Sequence, residues 1–388
     1  MSKRSNKLMA LIGLLAAAAM MLAACQPAAP AATATPVGPV EIKIAFFGPL
    51  TGPAATLGQE QLALGRLAVA DFNAGMAGFH ATMVEEDTDI TPDKAVPVCQ
   101  KDADDKSIVG VVGPSGSGQV EACAQILEDA GLAHVSPSAT RPSLAQGGFK
   151  TFFRVVPNDD AQGRDDANYI AKTIGAKKVY VVDDQESYGT NLADTVDKIL
   201  KDAGVETERA SVAQTDNDLS ALVTKIKAFG AEVVFFAGQV PEQGGLMAKQ
   251  LREQGVSIPV FGGDGFYSQN GYIGSAGGAN EGSYASVFFP DIRAKSEAAS
   301  VVAAADKAFP TWGNFGAATY VAVTVMLDAA ANASKAGHLD RAGVLDAVSK
   351  TDIKVFGLPI KFESTGEVVG ASFVISQVKG DKFVQVFP

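Results

Sequence analysis

The sequence predicts an α/β protein built as two doubly wound parallel-sheet lobes. Three observations carry this. Short apolar runs rich in β-branched residues alternate with amphipathic helical stretches along almost the whole chain. The alternation restarts after Phe152-Phe-Arg-Val-Val-Pro, so two similar blocks follow one another. In each block the strands lead through polar, glycine-containing loops into helices. That arrangement gathers binding loops at the carboxyl ends of parallel strands.

Taken in order, the chain opens with a targeting segment. Lys3, Arg4 and Lys7 make a basic start, Leu8 to Ala24 carries no charge, and Cys25 follows Leu22-Ala23-Ala24. The apolar run is short for a membrane span and suited to a signal peptide. Its end resembles a bacterial lipobox, which makes residues 1–24 the signal peptide and Cys25 the lipidated new N-terminus. An ordinary signal peptide is the alternative, and it leaves Cys25 unexplained. Gln26 to Pro39 is nearly all Pro, Ala, Thr, Gly and Val without periodicity. Residues 25–39 therefore read as anchor and tether, holding the folded part outside the cytoplasm near a membrane.

The folded part begins with a strand at Val40-Glu-Ile-Lys-Ile-Ala-Phe-Phe and a turn at Gly48-Pro-Leu-Thr-Gly-Pro. Leu64, Leu67, Ala68 and Phe72 then mark one face of a helix. A strand at 81–85 and a helix opened by Pro92 follow. Residues 108–140 read as strand, glycine-serine loop, helix, strand and serine-threonine loop. The helix buries Val120, Cys123, Ala124 and Leu127, and both loops leave the same end of one sheet. In the second block the spacing predicts helices over 162–174, 192–203, 218–229 and 243–254. Strands are expected at 178–183, 205–212, 233–236 and 259–262, with Ser187-Tyr188-Gly189 as a loop. A strand at 284–289, helices at 296–308, 317–334 and 341–349, a strand from Ile360 and a terminal hairpin across Lys379-Gly-Asp complete the chain. This late α/β material suggests a return to the first lobe.

Composition narrows the function. Hydrophobic residues are 47% and charged residues 19% of 388, enough for two proper cores. A net charge of −11 argues against a nucleic-acid partner. His80, His134 and His338 stand apart with no metal-ligand spacing, so no metal is expected. Gly113-Pro-Ser-Gly-Ser-Gly118 begins like a P-loop, but Gln119 and Val120 stand where Lys and a hydroxyl residue are needed. It matches neither GxSxG nor GxGxxG, and no base accompanies Ser115 or Ser117, so no enzyme activity and no cofactor are expected. What remains is binding. Small residues, hydroxyls and free N–H groups at a helix start suit a carboxylate. On residues alone, one of the two serines could equally cap the helix.

Several landmarks together resemble the leucine/isoleucine/valine-binding protein family, the substrate-binding proteins of branched-chain amino acid ABC importers with the type I periplasmic binding fold. They are Ile44-Ala-Phe-Phe-Gly-Pro-Leu-Thr-Gly-Pro, Val111-Val-Gly-Pro-Ser-Gly-Ser, Val135-Ser-Pro-Ser-Ala-Thr, Phe153-Arg154, Asp184-Gln-Glu-Ser-Tyr-Gly and Phe261-Gly-Gly-Asp-Gly. The likeness spans residues 40–388. It implies two lobes joined by a multi-strand hinge, lobe 1 from 40–158 plus 290–362 and lobe 2 from 159–289 plus 363–388. It implies that Ser117 and Thr140 hold a ligand carboxylate, and that the Ser138-Ala139-Thr140 loop also meets its ammonium. Asp264 would pair with that ammonium, Tyr188 would close over the ligand, and Leu57 and Phe315 would line its side-chain pocket.

There are departures. Leu57 stands where an aromatic is common, Gln239 where branched-chain binders carry Tyr, and Asp264 where Glu is usual. The implied ligand is thus an amino acid, branched-chain or related, and Gln239 could admit a polar side chain. The implied partners are ABC permease subunits with cytoplasmic ATPases. A receptor of the same fold for an amide, urea or aromatic acid, or one for sensing, stands as the alternative. On residues alone Tyr188 and Asp264 could be turn residues. Cys99 and Cys123 fall on neighbouring helices of one face, as a disulfide or as two buried thiols.

Overall fold

The computed structural model describes residues 38–387. The expected signal peptide, the expected lipidation site Cys25 and most of the expected tether lie outside the described residues. The first sheet has five parallel strands in the order β2-β1-β3-β4-β5. These are β1 (Val40–Gly48), β2 (Phe79–Asp87), β3 (Ile108–Val112), β4 (His134–Ser136) and β5 (Phe152–Arg154). Helices cover both faces, so the central strands read as continuous apolar runs. Along β1, Ala45 and Phe47 pack on one face against α2 (Pro92–Asp104) and α3 (Ser117–Asp129). Ile44 and Phe46 pack on the other, against α1 (Ala55–Gly75) and the later helix α9. Each of the larger side chains, Ile44, Phe46 and Phe47, contributes about 1.5–3 kcal/mol on removal from water.

The second sheet has seven strands in the order β14-β13-β10-β9-β8-β6-β7. The parallel part comprises β6 (Lys178–Asp183), β7 (Glu206–Ser211), β8 (Val233–Ala237), β9 (Val260–Gly262) and β10 (Tyr284–Val287). It is wound with α4 (Asp159–Asn168), α5 (Ser187–Asp202), α6 (Ser220–Phe229) and α7 (Pro241–Glu253). The chain then leaves this sheet for α8 (Ala299–Ala308), α9 (Asn314–Lys335) and α10 (Arg341–Ser349), which pack on the first. A hairpin of β11 (Asp352–Val355) and β12 (Leu358–Lys361) follows. The chain then returns as β13 (Val374–Val378) and β14 (Phe383–Phe387), antiparallel to β10 and to each other. Three segments thus run between the sheets: after β5, after β10 and before β13.

Helix α9 is long and apolar enough to cross a membrane, yet 89% of its apolar window is buried inside the protein. It is a core helix. It lies so close to β3 that a Cβ on Gly110 would meet the Met326 sulfur at 2.1 Å, so residue 110 must lack a side chain.

The structure corrects some boundaries. Ser187-Tyr188-Gly189 is the first turn of α5, not a loop. Helix α4 starts at Asp159, ahead of the expected Gln162, because the Asn158 side chain accepts the Ala161 N–H. Strands β5 and β10 are shorter than their apolar runs, whose last residues form the crossings. Strand β11 was not anticipated. Asp-Ile-Lys-Val is short and mostly exposed, and it exists through its hairpin, turned by Phe356 and Gly357 at positive φ.

Cys99 of α2 and Cys123 of α3 form a disulfide, with Cα atoms 6.0 Å apart and a sequence separation of 24. Closing a loop of that length should contribute about 3 kcal/mol. The paired Cys99→Ala, Cys123→Ala variant should therefore lose about 3 kcal/mol of unfolding free energy and unfold at a lower urea concentration. An unchanged unfolding midpoint would show that the bond contributes nothing.

Candidate functional site

The two parallel sheets turn their carboxyl ends toward one another. Each has a switch point there, where successive strands go to opposite sides of the first strand of the block: β1 lies between β2 and β3, and β6 between β7 and β8. A cavity lies between these ends. The first half contributes Pro49, Leu57, Gln61, Ile90, Ser115, Ser117, Ser138 and Phe315, and the second Tyr188, Gln239, Asp264 and Gly265. Side chains of the two halves touch across it. Thr56 donates to Glu242 (2.8 Å), and Arg141 donates to the hydroxyl (2.9 Å) and carbonyl (3.1 Å) of Ser187.

The wall of the first half is made of hydroxyls tied together. Gly113 turns the chain at φ 113°, where a Cβ would strike the Phe47 carbonyl. Ser115 donates to Gln61 Oε1 (2.9 Å), Gln61 Nε2 donates to Ser138 (3.2 Å), and Ser138 donates to the Ser115 carbonyl (2.8 Å). Ser136 closes the set by donating to the Pro114 carbonyl (2.7 Å). Neither serine caps α3. Gly116 holds that position and its N–H goes to Gln119 Oε1 (3.1 Å). Ser117 is therefore the first residue of the helix. Its hydroxyl accepts the Arg141 N–H (3.3 Å), and its own hydrogen has no acceptor among the described residues.

Leu57, Ser117, Ser138, Tyr188, Gln239, Asp264 and Phe315 all line the cavity, but Ala139 and Thr140 do not. Those two are fully buried behind Ser138. The Ala139 carbonyl accepts from Arg154, and the Thr140 carbonyl accepts the Asp159 N–H (2.9 Å). The Thr140 hydroxyl is buried without a hydrogen-bond partner of normal geometry, although it is near enough to Asp159 to favour that carboxylate's charged form. A buried orphan of this kind calls for a reason.

The second half is acidic. Tyr188, in the first turn of α5, donates to Asp264 Oδ1, which also takes the Gly265 N–H (3.0 Å). Asp264 Oδ2 accepts nothing among the described residues. Behind it, Gln162 joins the acids. It donates to Asp159 (3.1 Å) and accepts from the Asp264 N–H (2.9 Å) and the Ser286 hydroxyl (2.8 Å). Ser286 also meets Asp166 (3.0 Å). Burial raises Asp264 to about 6, against the lowering effect of Tyr188. Burial raises Asp159 to about 7, and raises Asp166 well above the usual carboxyl range. The buried Arg154 beside them is already engaged by Glu367. Among the described residues no cluster of side chains is arranged to hold a metal ion.

Sequence reasoning missed Gln61, Ser115, Ile90, Pro49 and Gly265. Gln61 had a signal, since it lies one helical turn beyond Leu57 on the same face. Ser115 was weighed only as a cap or nucleophile. Ile90 had none. It sits at φ 55°, a conformation rarely taken by a β-branched residue.

The raised carboxyls bind protons more tightly when folded than when unfolded. Their stabilising contribution is therefore complete below about pH 4 and is lost as pH rises through 6 to 7. His134, held neutral by burial at about 4, opposes this as a single group. In the absence of ligand, Asp264→Asn should melt higher than the parent at pH 7.5, and the difference should shrink by pH 5. A melting temperature lowered at pH 7.5 would contradict the burden assigned to Asp264.

Comparison with known proteins agrees with this architecture. A family model described as periplasmic binding protein matches residues 41–382. A Pseudomonas aeruginosa protein named for binding leucine, isoleucine, valine, threonine and alanine is 31% identical over 86% of this chain and 89% of its own. An amino acid binding protein of the same organism is 35% identical over 58% of this chain. That match spans 61% of its length, less than two-thirds. A leucine-binding protein from Thermotoga maritima superposes with a TM-score of 0.81 at 24% identity, covering 89% of this chain and 97% of that one. This last likeness speaks for the fold. The relatives are named as binding proteins rather than enzymes, and the chain belongs to the periplasmic binding protein family.

Proposed function

We propose that the protein is the substrate-binding lipoprotein of an ABC importer, that it takes an amino acid into the cavity between its halves, and that it delivers it to a membrane permease driven by cytoplasmic ATPases. One observation carries the ligand class. A serine hydroxyl with a free hydrogen, at the start of α3, and a carboxylate with a free oxygen line one cavity from opposite halves of the protein. That pairing fits a zwitterion. Ser117 and the α3 start hold the carboxylate. The unpartnered Thr140 hydroxyl, one layer behind Ser138, supplies a further donor to that carboxylate. Asp264 takes the ammonium, with Tyr188 fixing the acid's other oxygen. Leu57, Phe315 and Gln239 surround the side chain.

The names of the relatives support an amino acid. The acid cluster supports it over an aromatic acid or urea, since neither brings a cation to Asp264. In this reading residues 40–158 plus 290–362 and residues 159–289 plus 363–388 move as two lobes about the three crossings. Ligand favours the shut form because it meets both lobes only there. Lipidated Cys25 and the tether keep the closed form beside the permease.

A thermal-shift screen against the amino acids and small amides tests the ligand class, and calorimetry then tests the residues. Removing the Thr140 hydroxyl (Thr140→Val) should weaken binding by ~1.5–3 kcal/mol, roughly ten- to a hundredfold. Asp264→Asn should cost about 2–5 kcal/mol for an amino acid. Unchanged affinity in both variants would place the ligand elsewhere. Tight binding of a ligand without an ammonium, indifferent to Asp264→Asn, would favour the amide or aromatic-acid receptor.

A further inference from the structure

We propose that Ile90 is the end wall of the ligand cavity and, with Gly116 and Gln239, sets the length of ligand side chain the protein accepts. The inference rests on the amino-acid reading and deepens it. Its first support is backbone strain. Asp89 and Ile90 have φ 47° and 55°, and an isoleucine in that region is unfavourable because its branched Cβ crowds the backbone. Such a conformation persists only where the surroundings over-determine it, and it tends to mark a functional position.

Here the surroundings do so from both sides. The Asp87 carboxylate accepts the N–H groups of Leu50 (2.9 Å), Thr51 (3.2 Å) and Asp89 (3.1 Å), tying this loop to the one after β1. Gln119 donates to the Thr88 carbonyl (2.9 Å), tying it to the head of α3. The strained residue is held, and its side chain is spent on the cavity wall.

The second support is Gly116. Its φ of −94° and ψ of 146° suit any residue, so the backbone does not demand glycine. Space does. A Cβ at 116 would lie 2.9 Å from Ile90 Cδ1 and 3.2 Å from Gln239 Oε1. Ile90 from the first half and Gln239 from the second therefore converge over a residue kept bare. The Gln239 backbone is fixed by the buried Asp184 carboxylate (3.0 Å), while its side-chain amide has no partner among the described residues. The wall is complete only when the halves are shut, so side-chain length is gauged at closure.

The test uses a homologous series with a constant zwitterion: alanine, 2-aminobutyrate, norvaline and norleucine. Their affinities are measured by calorimetry for the parent and for Ile90→Ala, Ile90→Val and Gly116→Ala. Ile90→Ala should move the preferred length up by one or two carbons and raise the norleucine-to-alanine affinity ratio at least tenfold. Ile90→Val, which keeps the branched Cβ, should shift it less in the same direction. Gly116→Ala should penalise the longest homologue most. A uniform loss across the series in Ile90→Ala and Ile90→Val, or no change, would overturn the proposal and leave the amino-acid reading standing. A folded parent that binds none of the series and no other amino acid would overturn both, and no variant is needed to see it.

Discussion

The structure turns on a carboxylate buried without a cation. Asp264 lies at the end of β9, fully enclosed, with one oxygen taken by Tyr188 and Gly265 and the other facing the cavity. Asp159 and Asp166 stand close behind, so the group cannot be charged cheaply. A buried charge needs either a partner or a proton. The same demand accounts for its neighbours. Gln162 and Ser286 link the acids through neutral hydrogen bonds, and Tyr188 is carried on α5, whose first turn also meets Arg141 of the other half.

The opposite wall solves a different problem. A ligand carboxylate must be met by donors that do not wander, and neutral donors suffice if they are fixed beforehand. The loop 113–117 and the loop 136–140 leave adjacent strands, and Ser115, Gln61, Ser138 and Ser136 bind them into one unit. The cavity wall of the first half is thus stiff and uncharged, and that of the second carries charge and protons.

Much of this was legible in the chain. Strand and helix alternation follows from burial on one or both faces, and it survives into the fold element by element. The two loops of residues 108–140 could be placed together because parallel strands must end alike. Asp264 stood out as an acid among glycines. What could not be read was distance along the chain turned into contact. Gln61 becomes part of the serine network only because α1 packs over the sheet beside loop 113–117. Ile90 looks like an ordinary apolar residue until its φ is known. Tyr188 reads in sequence as a loop residue, since Ser-Tyr-Gly carries turn chemistry, while packing of Leu192 and Val196 extends α5 back over it. Thr140 was expected at the cavity surface, and in the closed form it lies one layer behind.

On the proposed reading, these features bear on why closure and ligand belong together. In an open form Asp264 would face water and could stay ionised at neutral pH. Shutting the halves removes that water, and the desolvation that raises its pKa to about 6 is the cost of shutting on an ionised, unpaired acid. A proton offsets that cost, and so does an ammonium. The ammonium alone arrives joined to a carboxylate that the stiff half can hold at the same time. Proton and ligand therefore compete for one oxygen, but only the ligand bridges the two halves. At neutral pH the empty shut form is penalised and the occupied one is not, so the acid serves selectivity for ligand and selectivity for closure through a single interaction.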